Sequence, residues 1–107
     1  VTLLYVTDNA HGMSLSGESS DCMIMFNTLF NNADIGLALG ELASSNKVHG
    51  NLIGWNNESN ARDDGTLNSW DDGIGIGNGW SDYSGTGVYV IPGSAESMDH
   101  FPTLIEF

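Results

Sequence analysis

The sequence predicts an α+β domain: one or two helices in the N-terminal half, followed by an irregular, mostly antiparallel sheet. Three observations predict it. Apolar residues recur at helical spacing between Cys22 and Phe30, short apolar runs in the second half are punctuated by Gly, Pro, Asn and Asp, and no internal repeat stands out. With 107 residues there is room for one core, so residues 1–107 read as a single acidic globular domain.

The elements follow in order. Residues 2–7 (TLLYVT) read as a buried strand, ended by Asp8-Asn9 and a Gly/Ser-rich stretch. Cys22, Met23, Phe26, Leu29 and Phe30 then form the apolar side of a helix, with Ser19, Ser20 or Asp21 as its N-cap and Asn31-Asn32 as its stop. Residues 35–43 suit a second short helix burying Ile35, Ala38, Leu39 and Leu42, although Gly36 and Gly40 each weaken it by about 1 kcal/mol relative to Ala. Residues 51–55 read as a strand and residues 56–69 as a polar loop. Ile74 and Ile76, alternating with Gly73, Gly75 and Gly77, suggest a strand with bare backbone on one face. Residues 87–91 (GVYVI) form the clearest late strand, closed by Pro92-Gly93, and residues 103–107 form the last.

Charge excludes more than it identifies. Fourteen acidic residues face only Lys47 and Arg62, for a net charge of −12. Polyanion binding draws its affinity from counterions displaced by many cations, so direct binding to nucleic acid is not expected. A basic protein, a cation or a neutral sugar is an easier partner, and the same charge also serves plain solubility. The single cysteine, Cys22, precludes an intrachain disulfide, and no apolar run approaches the ~20 residues of a membrane span. The start at Val1, without a basic flank, suggests a processed or trimmed terminus rather than a signal peptide.

Several constellations bear on chemistry. Residues 60–71 (NARDDGTLNSWD) resemble a calcium-binding loop of the EF-hand or dockerin kind. That likeness implies Asn60, Asp64, Asn68 and Asp71 as Ca²⁺ ligands, with Gly65 at the sharp turn and Leu67 after it. Arg62 stands where a further oxygen belongs, and the plain alternative is an Asx- and Gly-built turn needing no cofactor. Residues 11–20 offer a Gly/Ser-rich loop before a helix start, but without Lys and with Glu18 nearby they suit no phosphate. Gly12-Met13-Ser14-Leu15-Ser16 lacks the second Gly of a nucleophile elbow. Cys22, His11, His49 and His100 have no spacing that supports a nucleophilic pair, so no catalytic residue is assigned. The sequon Asn57-Glu58-Ser59 is too short a signal to argue glycosylation.

Trp55, Trp70, Trp80, Tyr83 and Tyr89, together with Ile74 and Ile76, are the candidate interface residues. Aromatics among Asn, Asp and Gly suit a protein contact or a sugar-stacking surface as well as a core. Residues 67–93 combine a Trp-Asp-Asp-Gly turn, an Ile/Gly run and a Val-x-Val-like strand ending in Gly. Over that stretch the chain is similar to the small trimeric decoration proteins of tailed-phage heads, which implies a self-assembling surface subunit. The leading expectation is therefore a non-enzymatic structural or interaction module. It would be a homo-oligomer or part of a larger complex, in a virion or outside the cell and not inserted in a membrane. An acidic inhibitor mimicking nucleic acid in a basic groove, and a secreted Ca²⁺- or carbohydrate-binding module, are the alternatives.

Overall fold

Where the sequence suggests a helix, the chain instead builds two three-residue strands joined at a corner. A computed structural model describes residues 4–106, and among these there is no helix. Residues 2, 3 and 107, at the ends of the first and last expected strands, lie outside the described residues. Met23–Met25 and Thr28–Phe30 are the strands, and Phe26-Asn27 is the corner between them. The fully buried side chains are Ile24 and Leu29, one from each strand, whereas Met23 and Phe26 of the supposed helical stripe are exposed.

The α+β expectation is thus overturned by an all-β, parallel β-solenoid. The first coil carries β1 (Tyr5–Thr7), β2 (Met13–Leu15) and β3 (Met23–Met25). The second carries β4 (Thr28–Phe30), β5 (Ile35–Leu39) and β6 (Lys47–His49). The third carries β7 (Leu52–Gly54) and β8 (Ser59–Asp63), then Thr66 and Ser69 as single bridges. β9 (Gly79–Trp80), β10 (Tyr89–Val90), β11 (Met98–Asp99) and β12 (Thr103–Leu104) finish the chain. Stacking coils gives a five-stranded parallel sheet β1-β4-β7-β9-β12, a three-stranded parallel sheet β2-β5-β8 and the parallel pair β3-β6. The expected antiparallel sheet shrinks to the pair β10-β11.

A repeat does exist, contrary to the sequence reading. Equivalent corner residues are 23, 24 and 27 positions apart in successive coils. The second supposed helix is β5, where Leu37 and Leu39 alternate inward and Leu42, offered as buried, is exposed. The expected loop 56–69 contains β8 with Asn60, Ala61 and Asp63 buried. The expected strand 73–77 is a loop instead, with Ile74 90% exposed. Strands do form within 2–7, 51–55, 87–91 and 103–107, each shorter than the run that suggested it, and the first, expected to be buried, is an edge strand with Tyr5 exposed.

Two local devices make such short strands possible. Corner residues adopt left-handed backbone in register: Asp8, Asn31 and Trp55 at one corner, and Asp21, Ser45 and Leu67 at another. At the third corner Phe26 is followed one coil later by Gly50. Close packing between coils sets the second device. A Cβ on Gly36 would strike the Asn56 side chain and the Asn60 carbonyl, so only glycine fits beneath that stack.

Left-handed backbone costs a non-glycine residue about 1–2 kcal/mol, and Asn tolerates it best. Leu67 holds φ 55° and is 81% exposed, so little packing offsets that cost. Leu67→Asn is expected to raise stability by about 0.5–1 kcal/mol in urea unfolding, and Leu67→Val to lower it by about 1 kcal/mol.

Candidate functional site

At most corners a left-handed residue is followed immediately by an asparagine, as in Phe26-Asn27, Asn31-Asn32, Ser45-Asn46, Gly50-Asn51, Trp55-Asn56 and Leu67-Asn68, and the asparagines stack into ladders. At the first corner the Leu4 N–H donates to Asn27 Oδ1. The backbone N–H and Nδ2 of Asn27 both donate to Asn51 Oδ1, and those of Asn51 to Asn78 Oδ1. At the second corner Asn9 N–H donates to Asn32, Asn32 to Asn56, and Asn56 to Asn60. At the third, Cys22 N–H donates to Asn46 and Asn46 to Asn68. Spare amide protons go to carbonyls of the coil before, as from Asn51 to Ile24 O and from Asn56 to Leu29 O.

Asparagine suits this position because one amide both accepts and donates along the stacking direction. Every ladder runs the same way, each rung donating toward the C-terminal end, so each needs a final acceptor with no proton to place. Aspartates supply it. Asn78 donates to Asp99, Asn60 to Asp82 and Asn68 to Asp63. Each of these carboxylates also receives an aromatic donor: Trp80 Nε1 on Asp99, Trp70 Nε1 on Asp63, and the Tyr89 hydroxyl on Asp82. Asp63 and Asp99 are fully buried, yet Gly65 N–H and Ser97 Oγ also donate to the first and Phe101 N–H to the second. Such hydrogen bonding is what makes a buried anion tolerable. Among the described residues no buried side-chain polar atom lacks a partner.

This cap accounts for three of the aromatics proposed as interface residues. Trp70 and Trp80 are core, their ring centroids 6.0 Å apart, and Tyr89 stacks on Trp80 at 4.0 Å with an interplanar angle of 6°. Burial and the neighbouring Asp82 push the Tyr89 phenol well above its ordinary pKa. Tyr83 packs against the core and donates to Gly87 O. Trp55, Ile74 and Ile76 are exposed, and Trp55 makes an edge contact with Phe30.

The proposed Ca²⁺ ligands are committed to four separate sets of partners. Asn60 and Asn68 are ladder rungs. Asp64 accepts from Ser94 N–H and Arg62 Nε, which together hold its pKa below the usual range. Asp71 accepts from Gly73 N–H and from His100 N–H and ring. Burial raises the Asp71 pKa, and those hydrogen bonds outweigh it, for a net lowering. No group of three or more His, Cys, Asp or Glu suited to a metal lies together among the described residues. Cys22 occupies a ladder corner, half-buried, rather than a helix face. His11 meets Asp34 at 3.0 Å, and the neighbouring carboxyls of Glu58 and Asp34 push each other's pKa apart, with that of Asp34, also facing His11, lowered and that of Glu58 raised.

Sequence reasoning did not single out the outer face of the five-stranded sheet. None of the residues in its strands is charged, although the chain carries −12. One outward column runs Tyr5, Thr28, Leu52, Gly79, Thr103, and its neighbour runs Thr7, Phe30, Gly54, Ser81, Ile105. Beside it lies a groove of about 290 Å³ lined by Leu52, Ile76, Gly77, Gly79, Phe101 and Thr103 among others. Compared with protein-family models, curated proteins and solved structures, the chain gives no match.

Two outcomes are expected. Asn51→Ala removes the Oδ1 that accepts from the buried Asn27 N–H and Nδ2 and the Nδ2 that donates to Ile24 O, and should cost about 3–5 kcal/mol in urea unfolding, against under about 0.5 for the exposed Asn57→Ala. Asp72 accepts from Ile76, Ile74 and Gly75 N–H, and the first two of these chiefly lower its pKa. A lowered folded-state pKa stabilises above the unfolded value of about 3.9 and is lost as pH falls below it. The melting-temperature gap between wild type and Asp72→Ala should therefore be constant above about pH 5 and close in stronger acid; a gap independent of pH contradicts this assignment.

Proposed function

We propose that this protein is a non-enzymatic structural module, a stiff acidic solenoid that serves as a subunit of a larger assembly at a virion or cell surface. The observation that carries this reading is the uncharged, glycine-bearing face of the five-stranded sheet. An exposed apolar patch on a soluble chain marks a contact surface, and like-charged copies meet most easily where neither brings carboxylates. The ladders support the same reading. Their amides are spent on one another, which holds the face rigid without offering a reactive group.

An inhibitor that mimics nucleic acid would display its carboxylates as a stripe toward a basic groove. Here Asp63 and Asp99 are buried as ladder ends, Asp82 bonds Asn60 and Tyr89, and Asp72 is wrapped in its own loop. That distribution favours the assembly reading. Sedimentation velocity at micromolar to near-millimolar protein is expected to show a species heavier than the monomer, growing as salt screens the charge. A clean monomer throughout would remove the basis of this proposal.

A further inference from the structure

We propose that the second corner of the solenoid is a binding site for a neutral, β-linked saccharide, stacked on Trp55 and hydrogen-bonded by the amides beside it. The proposal does not depend on the assembly reading. Asp8, Asn31 and Trp55 hold the same left-handed corner in three successive coils. Coils stacked at the spacing of neighbouring strands set them about 5 Å apart, so the column spans about 10 Å, longer than a single sugar ring. A shallow, open groove of about 520 Å³ is lined by all three, with Asn9 and Asn57 beside them. Its volume lies in the range of small-molecule sites, about 300–1,000 Å³.

Trp55 is the unusual member of the column. Left-handed backbone suits Asp8 and Asn31, whereas a bulky ring at φ 53° is strained there. Trp55 is also 46% exposed, while Trp70 and Trp80 are core. Phe30 stands nearly perpendicular to it, ring centroids 5.1 Å apart, which fixes the tilt of the indole and leaves close to half of the residue open to solvent. The polar groups around the ring are available too. Among the described residues the side chains of Asp8, Asn9, Asn31 and Asn57 make no hydrogen bond, and all four residues are exposed, in contrast to the ladder asparagines next to them.

The lining selects the ligand by exclusion and by fit. No cation borders the groove, and Asp8 adds to a chain of −12, so phosphates and acidic sugars are repelled. One carboxylate among carboxamides is too little for a hard metal ion, which wants several charged oxygens. An apolar ligand would strip water from the amides and leave them unpaired. A sugar hydroxyl both donates and accepts, as a carboxamide does, and a pyranose with every substituent equatorial turns a face of axial C–H groups toward an aromatic ring. β-Linkage keeps such a chain extended, which matches a straight column of corners.

The test uses cellohexaose as the probe and the whole chain as the receptor. Because Trp70 and Trp80 are buried, quenching of indole emission by acrylamide reports on Trp55. Cellohexaose should protect Trp55 from the quencher and bind with a Kd of about 0.1–1 mM, as befits so open a groove, and tetragalacturonate should do neither. Trp55→Asn keeps a residue suited to left-handed backbone and should weaken cellohexaose binding at least about 10-fold by calorimetry, and Asn57→Ala about 3-fold or more, with circular dichroism showing both variants folded. Absence of protection and of heat up to about 10 mM cellohexaose overturns the site. Binding that is unchanged in both variants places the sugar elsewhere, and tetragalacturonate binding as tightly as cellohexaose contradicts the selection by charge; either result also overturns it.

Discussion

The rung that links one asparagine amide to the next is the constraint on which the rest of the structure depends. Strands of two to five residues bury at most three side chains each, and four of the strands bury none, too little to hold a sheet alone. Each rung adds a backbone N–H and a side-chain N–H converging on one oxygen, repeated where the chain turns. A left-handed residue before most of these asparagines turns the chain at the stack, so the corners, normally the weak points of a fold, become richly hydrogen-bonded. Buried polar networks of this kind rigidify when complete and are costly when broken.

Directionality in the ladders explains the two ends. Because every rung donates toward the C-terminal end, that end must supply acceptors, and Asp63, Asp82 and Asp99 do so while gathering Trp70, Tyr89 and Trp80 around them. The stacked Trp80 and Tyr89 rings then cover the core where the coils stop. At the other end the ladders begin on backbone donors of Leu4, Asn9 and Cys22, and Val6, Met13 and Leu15 remain only partly buried. Two of the chain's fourteen acidic residues, Asp63 and Asp99, are thus buried acceptors rather than surface charge.

Part of this was legible in the sequence and part was hidden for a physical reason. Local strand propensity in TLLYVT and GVYVI places strands correctly, because β-branched and aromatic residues alternate there. The run from Cys22 to Phe30 misleads because two strands joined by a one-rung corner put inward residues five apart, Ile24 and Leu29, while their outward neighbours imitate helical spacing. The repeat escapes notice because its period varies from 22 to 27 and its signature is one polar residue type. Asn27, Asn51 and Asn78, with Asn32 and Asn56, and Asn46 and Asn68, are that signature. They mark the corners of the second and third coils. The candidate calcium loop and the candidate aromatic interface drew on the same residues, since rungs and cap are built from Asn, Asp and Trp.

The uncharged face follows from the same architecture. Stacking in register turns a local absence of charge in five short segments into one continuous surface, which the linear sequence does not reveal. Rigidity is what gives that surface a fixed shape, so the ladder is the claim to test. Its side-chain amide protons report on it directly. Hydrogen exchange followed by NMR should find the Nδ2 protons of Asn27, Asn51 and Asn78 opening only with global unfolding, as slowly as the core backbone amides around Ile53. If those protons exchange as fast as the amide of exposed Asn57, the ladder does not hold the coils together.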